Sequence, residues 1–238
     1  MNKTYCISLM HLSRISLFFC SFVLFEILSA QTTYSILGDS YSTFKGYVTP
    51  KTNLCFYRPV SKFNNNVHEV TKTWWWILQN NMGYKLLVNN SYSGSTICNT
   101  GYAKNDYSDR SFIARMTNIG QPDILFIFGG TNDCWAEVPL GEFQYENWGK
   151  SDLYKFRPAF SYLLYHLKQE HPKMRIINIC NSDLEGEYNA SMEIICRHYH
   201  VENIQLEHIK KQEKHPSIVG MKQISIQIET LLKNTPWR

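Results

Sequence analysis

Short apolar runs alternate with segments of helical periodicity along the chain. Two of the runs are apolar almost throughout, and no repeat or low-complexity linker interrupts the series. Together these observations predict a single α/β domain of three layers, with a central parallel sheet covered by helices on both faces. Thr33 to Leu37 reads as the first strand. Thr73 to Met82 reads as a helix in which Trp74, Ile77, Leu78 and Met82 share one face, so Trp74 is expected in the core. Trp76, on the side of Gln79 and Asn80, is the exposed member of the Trp74-Trp75-Trp76 run. Lys85 to Asn89 is the second strand, and Ile124 to Phe128 a third, buried on both faces. Asp152 to Glu170 follows as a long amphipathic helix, Arg175 to Cys180 as a strand and Tyr188 to His200 as a helix. Val201 to Leu206 is a short last strand and Ser217 to Leu232 the final helix.

Length and charge narrow the function. A chain of 238 residues, 44% hydrophobic, can bury one substantial core without dividing. A net charge of +4 without a dense Lys/Arg cluster argues against a nucleic-acid partner. Lys3 and Arg14 precede the apolar run Ile15 to Phe25, and Leu28-Ser29-Ala30 offers a small residue for cleavage. That pattern predicts a cleavable signal peptide over residues 1–30, a domain over 31–238, and a secreted or periplasmic location. A retained anchor is the alternative, and Glu26 interrupts the tail of the run. No later stretch has eighteen apolar residues in succession, so no stable membrane insertion is expected after cleavage. Loss of the segment leaves Cys55, Cys98, Cys134, Cys180 and Cys196, an odd number whose pairing the sequence leaves open. Their spacing matches no zinc pattern, and neither metal nor cofactor is expected. Cys180 reads as a small buried hydrophobe.

Chemistry gathers at the ends of predicted strands. Ser40, in Ser35-Ile-Leu-Gly-Asp-Ser-Tyr-Ser42, follows the first apolar run at a glycine turn, where a serine would stand exposed. Asn132, in Asp123-Ile-Leu-Phe-Ile-Phe-Gly-Gly-Thr-Asn-Asp133, repeats that grammar after the third strand, and His215-Pro216 opens the last periodic segment. In a parallel sheet such residues meet at the carboxyl edge. A serine hydroxyl needs a neighbouring base to become a nucleophile, and an acyl oxygen that gains charge needs donors already in place. Asp39 and Asp133 read as turn-holding carboxylates rather than reacting groups.

Four blocks in this order, Gly38-Asp39-Ser40, Asn90-Ser-Tyr-Ser-Gly94, Gly130-Thr-Asn132-Asp133 and His215, resemble those of the SGNH or GDSL-type esterases and lipases. The resemblance covers nearly all of residues 33 to 234. It implies a flavodoxin-like three-layer fold, Ser40 as nucleophile, His215 as base, and an oxyanion hole formed by the Ser40 N–H, Gly94 and Asn132. The chain departs from the family at one place. The family's Asp three residues before the histidine is Gln212 here, within Lys210-Lys-Gln-Glu-Lys-His215. An amide cannot supply the missing charge, so His215 is expected to work as a dyad partner oriented by Glu213 or by a backbone carbonyl.

Two long connections, Thr43 to Lys72 and Cys134 to Lys150, lack periodicity and are rich in aromatic residues. Both are expected to overhang the serine, with Tyr47, Tyr57 and Trp135 lining the substrate. The function expected is an exported serine esterase acting on a short-chain or O-acetyl ester of a small molecule or polysaccharide. The alternatives are action on longer acyl chains, as lysophospholipase or thioesterase, and a catalytically degenerate carbohydrate-binding protein. Oligomeric state is not legible.

Overall fold

The computed structural model describes residues 31–61, 63–184 and 186–235. The expected signal segment, residues 1–30, lies outside them. Five strands form one wholly parallel sheet: β1 (Thr33–Gly38), β2 (Lys85–Ser91), β3 (Ile124–Phe128), β4 (Arg175–Cys180) and β5 (Glu202–Gln205), in the order β2-β1-β3-β4-β5. This is the three-layer, flavodoxin-like arrangement. The order reverses direction between β1 and β3, so the chain leaves the sheet on opposite sides there and opens a crevice at the carboxyl edge.

Side-chain alternation along the strands builds two cores. Leu37, Leu125, Ile127 and Ile176 pack with the helices α2 (Phe112–Arg115), α4 (Phe156–Glu170) and α5 (Gly186–His198). Tyr34, Ile36, Phe126, Phe128, Ile177 and Ile179 face the other way, onto α1 (Trp74–Met82) and α6 (Ile218–Asn234). Each fully buried Ile, Leu or Phe contributes roughly 1.5–3 kcal/mol relative to exposure. The continuous apolar runs of β3 and β4 are therefore what the central position in the sheet requires.

The tryptophan run divides as its helical spacing predicts, with one addition. Trp74 and Trp75 are both fully buried and Trp76 is half-buried. The two buried indoles also hold polar ground: Trp74 Nε1 donates to Ser42 Oγ at 3.3 Å and Trp75 Nε1 to Ser42 O at 3.0 Å. They thus brace the turn that follows Ser40.

Three features depart from the sequence expectation. The long helix begins at Phe156, not Asp152, because Lys155 is extended and a single 3-10 turn occupies Asp152–Tyr154. A short helix α3 (Thr131–Trp135) carries the asparagine block. Finally, β6 (Lys211–Gln212) and β7 (His215–Pro216) form a small antiparallel hairpin outside the main sheet. Its two turn residues, Glu213 and Lys214, have φ of 51° and 60°. Positive φ at both central residues is what a two-residue hairpin of the right twist requires.

Candidate active site

Ser40 begins a single 3-10 turn, Ser40–Ser42, directly after β1. Asp39 caps this turn, its Oδ1 accepting from the Tyr41 N–H at 2.9 Å. Gly38 is required for contact rather than conformation, since a Cβ there would lie 2.5 Å from Ser91 Oγ and 2.9 Å from the Ser42 Cβ. The serine is less open than its position suggested, at 3% exposure.

The hairpin brings His215 onto it. His215 Nε2 lies 2.9 Å from Ser40 Oγ, and Nδ1 lies 2.8 Å from the main-chain oxygen of Glu213. A carbonyl only accepts, so Nδ1 carries the proton and Nε2 is left bare to receive one from the serine. The carboxylate of Glu213 takes no part in this contact, and its residue is exposed. Glu213 as the catalytic acid is therefore corrected: its backbone orients the imidazole. The reason is the hairpin, whose left-handed turn folds the Glu213 carbonyl back toward the ring. Gln212, in the position of the family's acid, points elsewhere, its Oε1 accepting from the Asn66 N–H at 3.0 Å.

Aromatic rings enclose the imidazole. Phe56 stacks on it with centroids 3.5 Å apart and planes at 5°, and Phe63 stacks on the far face of Phe56 at 4.6 Å. Tyr41 and Trp135 present edges at 5.3 and 6.2 Å. This burial pulls the His215 pKa down to about 4; the Glu213 carbonyl acts the other way, and the nearby Lys211 ammonium adds to the lowering.

Asn132, near the start of α3, approaches the residue that precedes the serine. Its Nδ2 donates to Ser95 O at 3.0 Å and reaches Asp39 Oδ2 only at 3.4 Å. Its Oδ1 accepts from the Tyr102 hydroxyl at 2.7 Å, which fixes the sense of the amide. Gly94 sits in a turn with φ of 84°, where a side chain would be strained. Among the described residues, neither the Ser40 nor the Gly94 N–H makes a hydrogen bond within the chain. Both remain available to an incoming oxygen.

Two buried carboxylates underlie the site. Asp133 accepts from the Ile97 N–H, at 2.8 and 3.0 Å to its two oxygens, and from the Cys98 N–H at 3.2 Å. Burial raises its pKa to about 6 despite those donors. Burial also raises Asp39 to about 7, opposed by the Tyr41 N–H and by the charges of Arg115 and Lys211, and reinforced by Asp133. Both act as turn-holding groups. Among the described residues no cluster of three or more His, Cys, Asp or Glu is placed to hold a metal ion.

Of the three aromatic residues expected to line the substrate, Trp135 borders an open cleft. The cleft, of about 350 Å³, opens between Cys134, Trp135, Asp183 and Lys214, and the Trp135 ring separates it from His215 at 6.2 Å between centroids. Lys214 Nζ lies 5.6 Å from the Trp135 ring centroid, and Asp183 is paired with Lys211 at 2.6 Å. Tyr57 is a correction: it is buried and its hydroxyl donates to Pro216 O at 2.9 Å, so it supports the hairpin from inside. Tyr47 is another, because its ring packs on Trp76 at 5.9 Å and Phe44 at 6.0 Å, over α1. The rest of the second connection also turns away. Tyr145 stacks on His198, and Trp148 meets Tyr162 and Tyr165.

Serine, imidazole and asparagine converge from the ends of β1, the hairpin and β3, and the profile of the GDSL-like lipase/acylhydrolase family matches residues 32–232. The chain belongs to that family. It is an ester-hydrolysing enzyme of the GDSL-like type. Two similar solved structures are proteins described as GDSL-like lipases. The one from Bacteroides ovatus is 51% identical, with a TM-score of 0.86 over 87% of this chain and 100% of that one. The one from Bacteroides uniformis is 54% identical, with a TM-score of 0.85 over 87% of this chain and 98% of that one. An acetyl xylan esterase from Butyrivibrio proteoclasticus shares the fold at 13% identity, TM-score 0.58, over 86% of this chain and 64% of that one. No curated protein matches the chain.

Several groups around this GDSL-like site were not anticipated. Tyr102 comes from a loop with left-handed Ala103 and Lys104, and nothing local marks it. Lys211 donates to Asn181 Oδ1 at 2.7 Å as well as to Asp183. Arg115 offered a readable signal, a lone charge within the apolar Phe112-Ile-Ala-Arg-Met116 segment. Cys55, Cys98, Cys180 and Cys196 are buried thiols outside any disulfide, and burial raises the pKa of each.

Proposed function

We propose that this chain is an exported serine esterase in which Ser40 and His215 act as a dyad on a short acyl group, an O-acetyl group of a carbohydrate above all. The observation that carries the reading is the continuous chain of contacts from Ser40 Oγ to His215 Nε2 and from His215 Nδ1 to Glu213 O, at 2.9 and 2.8 Å. Ser40 attacks the acyl carbon as Nε2 takes its proton. The carbonyl oxygen, now negative, receives the N–H groups of Ser40 and Gly94 and the Asn132 amide proton that is given up by Asp39 Oδ2, its longer contact at 3.4 Å. The imidazolium returns its proton to the departing alcohol oxygen, leaving an acyl-enzyme. Water enters by the same steps in reverse roles and releases the acid. The imidazolium has a neutral carbonyl where a triad has a carboxylate, whose removal typically costs on the order of 10⁴ in rate. Turnover is accordingly slower than a full triad would give.

The cleft supports a polar alcohol rather than a long acyl chain, because two of its lining residues are charged and Trp135 offers the flat, amphipathic face that suits a sugar ring. Relatives of the same fold include proteins described as carbohydrate esterases, one of them in complex with cellohexaose. Export rests on the charged start, apolar core and Ala30 of the sequence.

A fluorophosphonate probe and an acyl-chain series of p-nitrophenyl esters test the chemistry. Labelling should be lost in Ser40→Ala, and acetate should turn over faster than octanoate. Faster octanoate would favour the lipase-like reading, and folded protein with neither labelling nor turnover would favour a binding role. Export is checked by mass spectrometry of extracytoplasmic protein, where a Gln31 start is expected and an intact Met1 start would refute it.

A further inference from the structure

Beneath the site lies a buried cation that the reaction above does not use. Arg115 closes α2 and is 6% exposed. Its Nη2 donates to Gly38 O at 3.2 Å and to Ser95 Oγ at 2.9 Å. Its Nη1 donates to Asn90 O, and to Asn90 Oδ1 at 3.3 Å, while Nε donates to Arg110 O at 2.8 Å. Asn90 replies through Nδ2, which donates to Arg115 O at 3.1 Å. One planar fork therefore joins the last residue of β1, the carboxyl end of β2 and the turn that carries Gly94.

The acceptors matter because of what is attached to them. Gly38 is two residues before Ser40. Ser95 follows Gly94, and its carbonyl accepts from Asn132 Nδ2 at 3.0 Å. Every segment that contributes a donor to the proposed oxyanion hole is thus tied, directly or through Ser95, to the same guanidinium. None of those hydrogen bonds ends on a carboxylate, and the ring of Phe112 lies beneath the charge at 4.8 Å. An isolated buried cation is expensive to retain. Burial pulls its pKa down only to about 9, so it is charged at neutral pH, with Asp39 helping to keep it so.

We propose that Arg115 is a positioning residue for the reaction: its fork fixes the Ser40, Gly94 and Asn132 donors in mutual register, and its charge favours the negative oxygen that forms in front of them. This rests on the serine esterase reading. It predicts that Arg115 acts on the transition state and not on ground-state binding.

The experiment compares Arg115→Lys, Arg115→Gln and Ser95→Ala with wild type. Each is normalised to functional sites by fluorophosphonate labelling carried to completion, whose loss in Ser40→Ala tests the esterase reading separately. Losing one oxyanion donor costs on the order of 10²–10³, and Arg115→Gln should lower kcat per site by about that factor with KM changed less than about threefold. Arg115→Lys, which keeps the charge but not the fork, should fall between, at about tenfold or more. Affinity for a trifluoromethyl ketone, whose adduct carries the oxyanion, should weaken in parallel with kcat. Ser95→Ala removes one arm of the network and should lower kcat by several-fold, which decides the matter if the Arg115 variants do not fold. Wild-type kcat per site in the folded variants, or losses confined to KM or melting temperature, would overturn the proposal.

Discussion

Ser40 stands at the end of a central strand, whereas His215 stands on a two-residue strand outside the sheet, and different forces hold the two. The serine is placed by topology. β1 pairs on both sides with parallel neighbours, Asp39 N donates to Phe128 O at 3.1 Å, and Trp74, Trp75 and Arg115 close around the turn. The histidine is placed by side chains from elsewhere. Asn65 Nδ2 reaches the carbonyls of Gln212, His215 and Pro216 at 3.2 to 3.3 Å. Tyr41 donates to Lys214 O at 2.6 Å, Tyr57 to Pro216 O at 2.9 Å, and Lys211 anchors the hairpin to Asn181 and Asp183. A nucleophile on the sheet edge is thus secured by the fold itself, while the base depends on a few pins that single substitutions can draw.

The largest break in this comparison is removal of either partner. His215→Ala should lower kcat/KM by roughly 10² to 10⁴, the span of a general base, and Ser40→Ala should abolish acyl-enzyme formation. Rates within tenfold of wild type for His215→Ala would detach the hairpin from the chemistry.

Drawing a pin comes next. Asn65 is 5% exposed, and Asn65→Ala removes a donor shared by the Gln212, His215 and Pro216 carbonyls, of which Pro216 O keeps the Tyr57 hydroxyl, at about 1–3 kcal/mol for a group left unsatisfied. For a domain of this size each kcal/mol lowers the melting temperature by roughly 2–4 °C. Activity should fall more than stability suggests, by about tenfold at temperatures where the variant is folded. The converse pattern, lower stability with full activity, would show that the hairpin holds itself.

A smaller effect sharpens the electrostatic side. The half-buried His215 has a pKa of about 4, below its ordinary 6.5, so the neutral base persists down to that region. The acid limb of kcat/KM set by His215 should lie near pH 4, with the Lys211 ammonium as the charge that acts on the ring. Phe56→Ala removes the stacked ring, lets water in, and should move the limb upward toward 6.5. A wild-type limb already at 6.5 would contradict the enclosure. The same shift has a consequence for stability. Because the folded pKa is depressed, the unfolded chain binds the proton first, and this contribution is present above about pH 6.5 and lost as pH falls toward 4.

The smallest effects are expected at the positions that a triad would make largest. Glu213→Gln should change turnover by less than about twofold, because the carbonyl and not the carboxylate faces Nδ1. Gln212→Asp should give no gain, since that side chain is directed at Asn66. A tenfold loss in the first or a tenfold gain in the second would restore an acid to the site.

How much was legible in the sequence follows the same division. The strands ending at Gly38 and Phe128 were readable because burial on both faces imposes a local signature, and their ends carry the serine and asparagine blocks, whereas β2, an edge strand exposed in alternation along its first half, precedes the glycine block. The histidine was readable only as a motif beside a proline. Its hairpin rests on two left-handed non-glycine residues that no propensity marks, and its pins come from residues about 150 positions away in sequence. Tyr57, drawn into the core, and Tyr47, exposed on the outside of α1, show the limit of composition. Aromatic residues on a long loop are drawn to the core as readily as to a cleft, and only the packing tells the two apart.

The central claim is that His215 serves as base through a bare Nε2, with its Nδ1 proton held by the Glu213 carbonyl. Nitrogen-15 NMR of histidine-labelled protein, with His215→Ala to assign the signals, reads this directly. The account predicts a neutral ring protonated on Nδ1 at pH 7, titrating at about 4. A ring protonated on Nε2, or an imidazolium already present at pH 6.5, would contradict it.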